Sequence, residues 1–241
     1  MTCRLVTPWW RRRIPAIPVV DGGVEPTGIL DWRHPLVGEL LGEVMQADST
    51  VLLRRAHGLI AARVRPVYSV EDTQPVSRTL QVGRGSCSQR LAILEAVARA
   101  SGVPTRVRGL IVDGRFWYPR FPRLRFMVPD RVVLAWPEFL LENEWVQVAE
   151  LFGSLAELSA NPGFTNADGE TLFDALSRTA VDWDGVTSRP GTCSACDLSA
   201  TVLVDLGYFP SRDALFATHG QTLCMPTRIV AEPILSRRSA R

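Results

Sequence analysis

Cys87 follows the glycine-punctuated turn Gly83-Arg84-Gly85-Ser86 and opens a segment in which Leu91, Ile93, Leu94, Val97 and Ala98 give a helical period. A thiol at a helix start meets unpaired backbone N–H groups and the positive end of the helix dipole, both of which favour the thiolate. That is where a nucleophilic cysteine is made, although free cysteine is also among the most often buried and inert residue types. Three histidines are available as partners. His34 precedes Pro35 at a helix start and His57 lies within an early helix, so both are expected to play surface or core-edge roles. His219, in Ala217-Thr218-His219-Gly220, belongs to the C-terminal segment and is the candidate base for Cys87. It competes with a second use. Cys193-x2-Cys196, His219 and Cys224 have the residue types of a Cys3His zinc site, while the apolar run 198–209 between them favours ordinary thiols. The expectation is no bound metal and no cofactor. Calcium is not implied, since no acidic loop of the EF-hand type occurs.

The run GRGSCSQRLAILEAVARASGVPTR, residues 83–106, closely resembles the nucleophile motif of the transglutaminase-like superfamily. That motif has Gly-x-Cys opening a helix that ends in Arg-Ala-x-Gly-Ile-Pro-Ala-Arg. Gly102 follows Cys87 by fifteen residues as the pattern asks, and Val103 and Thr105 are mild substitutions. The resemblance extends over about residues 31–150. It implies a papain-like cysteine-enzyme fold in which Cys87 attacks an amide or ester carbonyl, a histidine on the first following strand carries the proton, and an aspartate on the next strand holds that imidazole. The backbone N–H of Cys87 would be an oxyanion donor. The family's second motif reads His-Ala-Trp-x-Glu, a turn, then Trp-Val and an acidic residue. Here Leu134-Ala135-Trp136-Pro137-Glu138 precedes Trp145-Val146, so Leu134 stands in the histidine position. The aspartate position falls at or beside Ala149, with Glu150 the nearest acid.

Two readings therefore stand side by side. One is a cysteine acyltransferase or amide hydrolase with Cys87 as nucleophile and a non-standard base, His219 being the candidate. The other is a catalytically silent binding or scaffold protein in which Leu134 fills the former imidazole site. For the first, a peptide, protein or carrier-bound acyl group is the expected substrate. Trp136 on a strand and Arg120 and Arg123 in the run PRFPRLRFMVP are the candidate substrate contacts, the same arginines being equally suited to a solvated loop.

Composition narrows the field. The chain has 241 residues, 27 Lys plus Arg of which every one is Arg, and 25 Asp plus Glu. Without lysine there is no Schiff base, no pyridoxal-phosphate chemistry, no Walker A loop and no kinase site, and self-cross-linking through side-chain amines is excluded. A GC-biased coding sequence accounts for the composition itself. A net charge of +2, with basic clusters only at Arg11–Arg13 and at Arg237, Arg238 and Arg241, argues against nucleic acid and reads as solvated ends. No run of 18 apolar residues occurs and the N-terminal order is wrong for a secretory signal, so no membrane partner and a cytoplasmic location are expected. Five cysteines is an odd, low count that speaks against a disulfide framework.

The elements that must position Cys87 follow from period and punctuation. Residues 1–30, rich in Pro and Gly, read as an irregular arm. Helices are expected from Pro35 and over Ser49–Val64, then a polar connector over 69–86, then the Cys87 helix through Ala100, stopped by Gly102 and Pro104. From Thr105 the period becomes two, with Asp113-Gly114 a hairpin signal, further strands at Arg131–Trp136 and Glu144–Val148, and Glu142-Asn143 as their turn. Trp117, Trp136 and Trp145 fall on these predicted strands. A short helix is expected near Thr171–Thr179, and short helical or mixed segments over 197–218. The fold class is α+β: a transglutaminase-like core over 31–150 with N-terminal helices, a Cys-bearing central helix and an antiparallel sheet, then a C-terminal extension over 151–241 packed on the core and ending in a disordered tail.

Overall fold

The computed structural model describes residues 20–161, 164, 166, 169–183, 198 and 201–240. Two helices come first: α1 (Pro35–Val44), capped by His34, and α2 (Ser49–Arg63), whose N-cap Asp48 accepts the Val51 N–H at 2.9 Å. The expected polar connector contains a helix, α3 (Val76–Val82), flanked by the two-residue strands β1 (Arg65–Pro66) and β2 (Arg84–Gly85), which pair in parallel. The central helix α4 (Cys87–Ala100) starts on the Ser86 capping box and ends ahead of Gly102 at φ +88°. From Gln89 to Arg99 every residue of α4 is buried, the polar Gln89, Arg90, Glu95 and Arg99 included.

One four-stranded antiparallel sheet runs in the order β5-β4-β3-β6, with β3 (Thr105–Asp113), β4 (Arg131–Leu141), β5 (Glu144–Gln147) and β6 (Val202–Phe209). The β4–β5 turn has positive φ at both Glu142 (49°) and Asn143 (71°), the backbone of a tight type I′ hairpin. Asp113-Gly114 does not make such a turn. Asp113 instead caps a 3-10 segment, Gly114–Arg120, and the chain returns only at Arg131, opposite Asp113. Trp117 is consequently on this loop and not on a strand.

The segment beyond residue 150 supplies α5 (Leu155–Leu158), α6 (Leu172–Ala175), the sheet-edge strand β6, α7 (Arg212–His219) and α8 (Met225–Leu235). β6 replaces the mixed segments expected there. Successive residues of a strand point to opposite faces, and β3 is buried over eight of its nine residues, so it is covered on both. Gly109 lets α7 close on it: a Cβ there would lie 2.7 Å from Leu215 Cδ1. Within the tail expected to be disordered, Arg238 and Ala240 make contacts with the core. Ala240 N–H donates to Pro66 O at 3.0 Å and the Arg238 guanidinium lies 5.1 Å over the Phe121 ring.

Three charged side chains on α4 are buried, and each is paired from outside the helix, although Arg90 Nε and Glu95 Oε2 make no hydrogen bond. Arg90 pairs with Asp174 at 2.9 Å and lies over Phe173. Glu95 pairs with Arg212, both side chains at 0% exposure. Arg99 donates to the carbonyls of Glu25 and Pro210. Burial of such groups is tolerated only when they are paired and hydrogen-bonded.

Candidate functional site

The two glycines before Cys87 do different work. Gly83 ends α3 in the left-handed region at φ +65°, where glycine carries no Cβ penalty. Gly85 sits so close to the start of α4 that a Cβ would meet Thr79 Cγ2 at 2.7 Å. Ser86 then caps the helix: its Oγ accepts the Gln89 N–H at 3.2 Å, and Gln89 Oε1 accepts the Ser86 N–H at 3.0 Å. The Gln89 amide nitrogen reaches outward to Ser69 Oγ and Glu71 O, each at 2.8 Å, fastening α4 to the 67–72 segment. Cys87 and Ser88 are thus the first two helical residues, whose N–H groups have no acceptor within the helix.

Cys87 is a half-buried free thiol on the wall of a cavity of about 1150 Å³. The wall takes in Tyr68 to Val70 and Asp72, Ser86 to Ser88, the loop from Phe116 to Pro129, Val132 to Leu134 of β4, and Thr227, Ala231 and Leu235 of α8. The last three recur at every fourth residue and form the inner face of α8. Its outer face, Met225, Ile229, Val230 and Ile234, is exposed. Glu232 holds α8 in place by accepting from the Ser69 hydroxyl and the Val70 N–H, both at 2.7 Å.

Asp72 is the acid of this wall. Desolvation pushes its carboxyl up from 3.8 to about 6, against a hydrogen bond from Ser88 and the nearby Arg212 charge, which favour the anion. Arg212 donates to Ser88 Oγ at 3.0 Å and to Glu95, so a continuous relay runs from Asp72 through Ser88 and Arg212 to Glu95 directly beside Cys87. Tyr68, its ring tilted by 60° to that of Phe121 at 4.7 Å, accepts from Arg120, and burial raises its phenol. Asp72, Ser88, Arg212 and Tyr68 carried no signal in the sequence. Their contacts join segments far apart in the chain, and Asp72 lay in what read as a polar connector.

Of the expected site residues, Cys87 and Arg120 are on the cavity wall, whereas Trp136, Arg123 and His219 are not among its described lining residues. Arg120 is engaged as a strut, donating to Asn166 Oδ1 at 2.8 Å and to the carbonyls of Ala240 and Glu170. Arg123 is exposed on the loop. Trp136 is 0% exposed, donates its indole N–H to Gln147 and meets Trp183 edge-on, so it is a core side chain; Trp117 lines the cavity instead. His219 is buried at the end of α7, its ring edge-on to Phe209 at 5.5 Å. His34 Nδ1 accepts the Leu36 N–H as a helix cap, and His57 stacks on Phe173 at 4.3 Å with burial lowering its basicity, so both have structural roles. Leu134, the residue in the motif's histidine position, lines the cavity. Cys193 and Cys196 lie outside the described residues. Cys224 is the N-cap residue of α8, 3.2 Å from the Thr227 hydroxyl, and no group of three metal-ligating side chains occurs among the described residues. Among those residues no helix is long and apolar enough to cross a membrane.

Residues 45–149 match the model of the transglutaminase-like superfamily, and with the helix-borne Cys87 ahead of an antiparallel sheet they form a transglutaminase-like core. Comparison with curated proteins and with solved structures gave no match.

Proposed function

We propose that this protein carries out thiol-dependent acyl transfer or acyl hydrolysis, with Cys87 as nucleophile and Asp72 as the group that takes the thiol proton. The carrying observation is the placement of the Cys87 thiol, at the first turn of a capped helix, on a cavity wall that also holds Asp72. In this scheme the Cys87 sulfur attacks an acyl carbonyl, the new C–S bond forms as the bond to the leaving group breaks, and the proton held by Asp72 goes to the leaving group. Water or an amine then attacks the acyl-enzyme, and its proton returns to the Cys87 thiol. The N–H groups of Cys87 and Ser88 are the natural oxyanion donors.

Leu134 on the cavity wall favours the second reading, a silent binding protein, because no imidazole then stands at the motif position. Labelling of Cys87 by iodoacetamide across pH 5–9, with Cys87→Ala as control, separates the two. Under the catalytic reading Cys87 labels at neutral pH faster than an unperturbed thiol of pKa about 8.5 would. Labelling that tracks an unperturbed thiol leaves the binding reading.

A further inference from the structure

The polar and apolar parts of the cavity are segregated. Ser69, Asp72, Ser86, Cys87 and Ser88 cluster around the N-terminus of α4, tied together by the Gln89 and Arg212 side chains. Elsewhere on the wall the hydrogen-bonding groups are already used within the protein. Thr222 Oγ1 accepts the Val133 N–H, Asn166 bridges Phe116 O and Arg120, and Thr171 bridges Arg90 and Asp174. What remains is aliphatic and aromatic surface from the 116–129 loop, β4 and α8. A site of this form suits an amphiphile with one reactive polar end and a long apolar body. At about 1150 Å³ the cavity exceeds the roughly 300–1,000 Å³ of ordinary small-molecule sites, so an acetyl-sized group would leave most of it unfilled.

The leaving group is constrained as well. Expelling an amine from a tetrahedral intermediate requires a proton donor in place, and with no imidazole at the site the donor is the single proton that Asp72 takes from Cys87. The chain's three histidines are a helix cap, a stacked core residue and a buried residue of α7, while Leu134 faces the cavity. A thiolate leaves without prior protonation. Exchange of one thioester for another makes a C–S bond as it breaks one, so it is redox-neutral and needs no further reactant.

We propose that the acyl donor is a thioester of a long-chain aliphatic acid, its carbonyl held at Cys87 and its hydrocarbon chain lying in the cavity beneath α8. This deepens the catalytic reading above and rests on it. The Cys87 sulfur attacks the thioester carbonyl and the donor's C–S bond breaks. The donor thiol departs as thiolate and collects the proton, leaving an S-acyl Cys87 for water or an amine to resolve.

The test uses the full chain and N-acetylcysteamine thioesters of acetic, hexanoic, decanoic and tetradecanoic acids, with acylation of Cys87 followed by intact mass. The expected result is an acylation efficiency that rises by up to about fourfold per added methylene until the cavity is full. Anilides of the same acids should react about 10²–10⁴-fold more slowly. Ala231→Trp, which narrows the cavity from the inner face of α8, should move the optimum to shorter chains, read as the ratio of tetradecanoyl to hexanoyl acylation within the same variant. A flat response to chain length, or anilides as fast as thioesters, overturns the proposal while leaving Cys87 as nucleophile. Failure of Cys87 to label with any thioester and with iodoacetamide removes both readings together.

Discussion

Burial raises the Asp72 carboxyl to about 6, so between pH 4 and pH 6 the folded protein binds a proton that the unfolded chain releases. Stability contributed at this site is therefore present at low pH and lost as the pH climbs through that window. The gap between 3.8 and about 6 corresponds to about 3 kcal/mol at neutral pH. Asp72→Asn should recover part of it: denaturant midpoints are expected to rise at pH 7.5 and to match the parent at pH 4. The same variant should slow Cys87 acylation about 10²–10⁴-fold and remove the acid limb near pH 6 from its pH profile. A variant that is more stable yet equally reactive would show that Asp72 takes no proton from the thiol. Cys87 was legible because its signals are local: a left-handed glycine, a capping serine and a helical period within a dozen residues. Asp72 was not, because its backbone N–H is fixed by Gln221 and its carboxylate environment by Arg212, each well over a hundred residues away in sequence.

At the scale of elements, the loop between β3 and β4 builds the cavity wall, and Gly114 decides whether it can close. A Cβ at this position would lie 1.6 Å from Pro129 O, a backbone atom that cannot swing aside. Gly114→Ala is expected to cost about 3 kcal/mol and to abolish the chain-length preference of acylation along with the wall. Thermal unfolding that matches the parent would contradict this. The same glycine explains why the Asp113-Gly114 pair misled as a hairpin signal. The pair ends a strand and the strands do run antiparallel, but the glycine is needed for close approach to Pro129 and not for a two-residue turn. Where periodicity was strong, in α1, α2, α4 and the β4–β5 hairpin, the elements formed where the pattern put them. The short polar α3 had no apolar stripe to announce it, and α7 and β6 depend on partners that only tertiary contact provides.

Over the whole molecule, the central helix is neutralised by the segment that follows the transglutaminase-like match. Asp174 answers Arg90, Arg212 answers Glu95, and Pro210 O takes a hydrogen bond from Arg99. Arg212→Met should destabilise by about 3–5 kcal/mol, because Glu95 would be left buried and uncompensated. Adding Glu95→Leu to it should restore much of that loss. Equal stability of the single and double variants in urea would show that the pair is not coupled. No local pattern in the sequence joins Glu95 to Arg212. The helix period marks Glu95 only as a polar residue on an apolar face, and its partner becomes visible when α7 docks on β3.

The order of the sheet also sets a problem of timing. β3 has β4 as one neighbour, close behind it in the chain, while its other neighbour, β6, ends at Phe209. At about 5–20 residues per second, the chain between the two takes roughly 5–20 s to leave the ribosome. Until then the apolar strand Thr105–Asp113 presents an unpaired edge, the kind of surface that recruits other unfinished chains. The yield of native protein in a cell thus depends on how quickly residues 151–201 are translated and on what shields that edge meanwhile, and no measurement of equilibrium stability on the finished protein will report it.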